Sequence, residues 1–163
     1  MFLIVHPSVP ARNLQEFIAY AKSHPGKLSY ASNGVGSSMH LAAALLMQET
    51  GIDMLHVPYK GMGAAVQDLV AGMVSATVDI SSMNWVKQGK LRALGVISES
   101  RYPGAPDVPS FGEQGLHGLE IISWLSLHAP AGLPADLQQR INADVNKVLA
   151  MPDVRSRLKA MDM

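Results

Sequence analysis

The chain of 163 residues has no cysteine, no long apolar run and no excess of charge of either sign, and each of these absences removes a class of function. Without cysteine there is no disulfide, no thiolate metal site and no Cys nucleophile, while the compartment stays open because such a chain suits oxidising and reducing surroundings equally. No apolar stretch reaches the roughly 18 to 20 residues that a bilayer span requires. The opening "MFLIVHP" is too short for a signal peptide and lacks a basic segment, so the sequence as written is expected to carry no export address. Its 13 Lys and Arg balance 13 Asp and Glu. They are scattered rather than striped, which leaves no footprint for nucleic acid or an anionic membrane and points to a small partner.

What is present is apolar content of 48%, ample for the packed core of one domain. The stretch "ARNLQEFIAYAKSHPGK" predicts a helix with Asn13 as its cap and Glu16 three residues on. Leu14, Phe17, Ile18 and Ala21 share a face, and Pro25-Gly26 is the stop. "LSYAS" then reads as a strand, Ser38 to about Glu49 as a helix, "DMLHV" as a strand, Gly63 to about Ala71 as a helix, and "MVSATVDI" and "LRALGVIS" as strands. Strands separated by helices of this length predict parallel pairing through crossovers, hence an α/β fold with a mainly parallel sheet. Pro and Gly crowd residues 100–123, which predicts a surface connection between an α/β lobe, 1–99, and a C-terminal helical tail, 124–163. In the tail Leu137, Ile141, Val145 and Val148 share one helical face, and Pro152 opens a last short helix.

Two stretches carry chemistry. In "YASNGVGSSMHLAAALL", residues 30–46, a strand enters a glycine-rich turn that opens onto a helix. Free N–H groups converge at a helix start and the macrodipole adds about half a positive charge, so phosphates and carboxylates bind there. Gly34 and Gly36 would let a ligand approach the backbone, and Ser32, Ser37 and Ser38 offer hydroxyls. Three alternatives stand at this point. A dinucleotide fingerprint would need a third glycine where Met39 stands, with Asp53 as the ribose ligand. A βα turn whose serines only cap the helix explains the same residues. An anion pocket is the third, and a phosphate loop of the Gly-Lys-Ser/Thr kind is absent. The second stretch, "LHVPYKGMGAAVQDLVAG", again runs strand, turn, helix. Tyr59 could supply a ring wall and hydroxyl and Lys60 a cation, unless they are only a partly buried surface tyrosine and a solvated lysine. Asp79 closes another strand at the same edge, where its plain role would be to cap the next helical turn.

Catalysis lacks its constellations. His6, His24, His40, His56, His117 and His128 show no helical metal spacing and no accompanying carboxylate motif, so no metal is implied. Gly-x-Ser-x-Gly is absent, and serines without a placed base are poor nucleophiles. His40 lies within a turn of the loop, either near a ligand or packed beside the helix start. No cofactor is expected.

In order along nearly the whole chain, "KLSYASNGVGSSMHLAAALL", "HVPYKGMGAAVQDLVAG", "GKLRALGVISESR", "PDVPSFGEQG" and "SWLSLHAPAGLP" resemble the successive signatures of the tripartite tricarboxylate transporter receptors, the Bug-type solute-binding proteins. The resemblance implies a lobe of the type II periplasmic-binding-protein kind. It implies no enzyme but a periplasmic receptor that binds a small carboxylate between two lobes and presents it to a membrane transporter. It assigns ligand binding to the turn of Ser32, Asn33, Gly34, Gly36, Ser37 and Ser38, with Tyr59 and Asp79 lining the same cleft. Family chains begin with a signal peptide and a first-lobe segment, so the resemblance also implies that most of lobe one is missing from this sequence. Between Asp79 and Gly89, "DISSMNWVKQG" departs from the family's phrasing. The tail would return to lobe one in the family, and without that lobe its apolar face is expected to drive homo-oligomerisation. The rival readings are a nucleotide- or phosphate-binding enzyme domain and a vestigial fragment active only in assembly.

Overall fold

Phe2, Leu3, Ile4 and Val5 are all buried and form strand β1 (Phe2–Val5). Leu3 and Val5 enter one core layer and Phe2 and Ile4 the other, as the two-residue period requires of a strand covered on both faces. Nothing in the sequence pattern predicts this strand, because four apolar residues in a row have no periodicity to read.

The computed structural model describes residues 1–121 and 126–160. After β1 come α1 (Leu14–Ser23), β2 (Leu28–Ser32), α2 (Ser38–Thr50), β3 (Met54–Pro58), α3 (Met62–Val70), β4 (Ala76–Asp79), α4 (Met83–Lys87), β5 (Arg92–Val96), α5 (Ala135–Leu149) and α6 (Pro152–Ala160). The chain divides into two compact units, Met1–Ser123 and Trp124–Met163. None of the described helices is long and apolar enough to cross a membrane.

In the first unit the sheet order is β3-β2-β4-β1-β5. Strand β2 pairs in parallel with β3 and β4, whereas β1 pairs antiparallel with β4 and β5. Four strands therefore run one way and β1 alone runs against them. The α/β fold class stands as expected, with a mixed sheet in which β1 adds two antiparallel ladders to the two parallel ones. One face is covered by α1 and α2 through Phe17, Ala42 and Leu46 with Tyr30 and Val78 of the sheet; the other packs Ala65, Leu69 and Met83 against Ile4 and Ala31.

Local chemistry sets the helix starts. Asn13 caps α1, its Oδ1 accepting from the Glu16 amide at 2.8 Å. The Glu16 carboxylate reaches back to the amide of Arg12 at 2.7 Å rather than to that of Asn13 itself, a one-residue variant of the capping box. The Pro- and Gly-rich stretch does more than connect, since Phe111 and Leu119 are fully buried in the core of the body. Gln114 fastens it: Oε1 accepts from the Leu14 amide at 2.8 Å and Nε2 donates to the Leu94 carbonyl at 3.0 Å. In the second unit α5 has no buried residue, and Leu137, Val145 and Val148 are exposed.

Candidate functional site

The four parallel strands bring their carboxyl ends to one edge of the sheet, at Ser32, Pro58, Asp79 and Val96, and Phe2 stands in register with the last two. In open α/β sheets the loops beyond this edge form the binding crevice.

The turn after β2 is shaped by two glycines in the left-handed region, Gly34 at φ 126° and Gly36 at φ 78°, a conformation that costs other residues about 1 to 2 kcal/mol. Ser32 is fully buried. Its hydroxyl accepts from the Gly34 amide at 3.1 Å and lies 2.7 Å from Nε2 of His56, so it holds the turn from within. Its carbonyl accepts from the Tyr59 amide at 2.9 Å, tying the second loop to the first. Ser37 is the N-cap of α2, its hydroxyl accepting from the His40 amide at 3.2 Å. Asn33, Gly36 and Ser38 are exposed. The amides of Ser38 and Met39 open the helix with no acceptor one turn back, and no acidic side chain occupies that first turn. The local field there favours an anion.

Beneath this turn lies a stack of three rings. His56 lies 4.9 Å from Tyr30 and 4.2 Å from His40, with interplanar angles of 17° and 18°. Burial, with His40 adding to it, pushes the His56 imidazole down and so favours its neutral form. Nδ1 of His40 accepts the Gly36 amide at 3.1 Å. The stack follows from register, because Tyr30 and His56 are directly opposed in the β2–β3 ladder. The sequence shows both strands and not their register, so the role of His56 was not legible.

In the second loop the Tyr59 hydroxyl donates to Asp68 of α3 at 2.7 Å, and burial together with that bond pushes the phenol up to about 12. Lys60 is exposed. Gly61 caps α3 without a side-chain bond. Asp79 is fully buried, its carboxylate accepting from the Ser81 hydroxyl and the Ser82 amide, each at 2.9 Å, and from the Ser82 hydroxyl at 2.5 Å. The structure therefore brings the Ser32–Ser38 turn and Tyr59 together. It turns the Asp79 carboxylate onto Ser81 and Ser82 at the entry to α4, whose N-cap is Ser82.

The mixed sheet of this order, with its loops gathered at the carboxyl edge, has the fold of one lobe of solved periplasmic binding proteins. The chain belongs to the family described as "Tripartite tricarboxylate transporter family receptor", whose model matches residues 1–163. It is 42% identical over 162 residues to the "UPF0065 protein in tcbD-tcbE intergenic region" of Pseudomonas sp. (strain P51), covering 98% of this chain and 48% of that one. Among solved structures, MatC from Rhodopseudomonas palustris with bound malate superposes with a TM-score of 0.92 at 34% identity, over 98% of this chain and 55% of that chain. Periplasmic binding protein BugD superposes at 0.91 and 30% identity, over 98% and 54%. The chain thus spans about half the length of these relatives. Members of the family are solute-binding receptors.

Proposed function

We propose that the body of this chain is one carboxylate-binding lobe of a periplasmic receptor that delivers a small organic acid to a tripartite tricarboxylate-type membrane transporter. The carboxylate is held by the amides of Gly36, Ser38 and Met39 and by the hydroxyls of Ser37 and Ser38, with Asn33 and Tyr59 at the rim and no bond made or broken. The observation that carries this reading is the open start of α2, capped by Ser37 and free of acidic side chains, at the sheet edge where the loops gather. It stands in a chain matched from end to end by a receptor family. The malate bound to MatC supports a carboxylate as the ligand class, and the naming of BugD supports the periplasm as the compartment.

An amide NMR titration tests it. Malate and other small mono-, di- and tricarboxylates should move the Gly36, Ser38 and Met39 resonances, while NAD and ATP leave them in place. The Gly36→Leu variant should lose the response. A Cβ at Gly36 meets no atom within 4 Å, but leucine is strained at φ 78°, so the variant both covers the approach to the amides and disturbs the turn that presents them. A carboxylate response that survives in Gly36→Leu would place the site elsewhere, and a response to nucleotides alone would favour the enzyme reading.

A further inference from the structure

We infer that His40 is a proton-dependent ligand of the anion turn, so that binding a carboxylate there draws a proton onto its ring. The inference rests on the carboxylate reading of the turn and adds to it a residue and a pH response.

The geometry is specific. In the free protein the Gly36 N–H donates to Nδ1 of His40 at 3.1 Å, so this nitrogen presents a lone pair and a neutral ring carries its proton on Nε2. An oxyanion seated on the turn takes the Gly36 N–H for itself. Nδ1 then faces an anion with lone pair against lone pair, which is repulsive. One proton from solvent resolves it: an N–H bond forms at Nδ1, the ring becomes imidazolium, and the amide and the ring both donate to the same anion as charge-assisted hydrogen bonds. No other bond changes.

The neighbours decide which ring takes the proton. Two stacked imidazoliums 4.2 Å apart would repel, so the pair stores one proton. Nε2 of His56 is tied to the buried hydroxyl of Ser32 at 2.7 Å, and its ring stacks on Tyr30 at 4.9 Å, where the His40 ring lies 6.4 Å away. His40, beside the exposed Gly36, is the one that responds. The titratable groups packed against the pair are Tyr30 from β2 and each histidine against the other, from α2 and β3. From the second loop, the Tyr59 hydroxyl is directed to Asp68. Among the described residues no carboxylate is hydrogen-bonded or ion-paired to either ring, so an anion on the turn would be a new ionic partner for the pair.

The test is an NMR titration of the 163-residue chain with malate as probe, following the Gly36 amide and the His40 ring proton between about pH 5.5 and 8, the range in which histidines titrate. The His40 resonance is assigned by its loss in His40→Asn. With malate present the ring titration should move to higher pH, and malate affinity should rise as pH falls, by up to about tenfold per pH unit for one linked proton. His40→Asn offers a hydrogen-bonding group at the Nδ1 position but cannot titrate in this range. It should bind malate with a flat pH profile, whereas His24→Asn, at the C-cap of α1, should keep the wild-type slope. If malate moves the Gly36 amide while the wild-type ring titration and affinity stay independent of malate and pH, His40 is only a packing residue and the inference fails alone. If malate moves neither Gly36 nor Ser38 at any pH, the carboxylate reading fails and takes this inference with it.

Discussion

Tyr59 and Ser37 show how single side chains at the sheet edge serve the fold before they serve a ligand. Ser37 caps α2 and Tyr59 fastens its loop to α3 through Asp68. The Tyr59 bond requires the protonated phenol, whose titration the folded state raises to about 12. Its stabilising effect is therefore fully present below the unfolded value of about 10 and is lost as pH rises through the folded one. Urea unfolding at a series of alkaline pH values should show wild type losing stability faster than Tyr59→Phe between about pH 10 and 12. Equal slopes would mean that the hydroxyl is not held by Asp68. The glycines, Ser37 and Tyr59 stood out in the sequence because their types are informative at a turn. His56 did not, since its partners Tyr30, Ser32 and His40 are remote in sequence and meet only through strand register.

Among the elements, the predicted strands and helices of the α/β body appear near their expected positions, β4 shorter than expected, because each carries its own signal, such as the Asn13 cap of α1 or the Ser37 cap of α2. Strand β1 and the short helix α4 carry none. Strand β1 depends on β4 and β5 for its identity, just as β5 depends on the irregular stretch beyond it. A Cβ on Gly95 would lie 2.8 Å from the Phe111 ring and 2.7 Å from Nε2 of Gln114. Gly95→Ala should cost about 1 to 3 kcal/mol by overpacking, and limited proteolysis should open the stretch around Phe111. An unchanged unfolding midpoint and an unchanged cleavage pattern would show that the stretch is not seated on β5.

For the whole molecule, the apolar face of α5 is the feature with the largest consequence. Val145 and Val148 are exposed on a helix that buries nothing. At about 25 cal/mol per Å² of apolar surface, covering a few hundred Å² is worth several kcal/mol before association costs. We expect the chain to self-associate through this helix, with light scattering at micromolar concentration giving a mass of a dimer or more. The double variant Val145→Glu, Val148→Glu should shift it to monomer, and a wild-type chain that is monomeric under the same conditions would remove α5 as an association surface.

What the sequence determined by itself was whatever is local: turn chemistry at Gly34 and Gly36, helix caps at Asn13 and Ser37, the alternation of strands and helices, and motif blocks distinctive enough to mark the family. These are readable because φ preferences, capping and periodicity act over a few neighbouring residues. Only the tertiary structure decided that β1 runs against its neighbours, that Phe111 and Leu119 are core, that Asp79 turns onto α4, and that Tyr30, His56 and His40 stack beneath the turn. Apart from the Asp79 contact, which is local to Ser81 and Ser82, each of these is a pairing between segments far apart in the chain. Its energy comes from burial and register, for which no short stretch of sequence holds both partners.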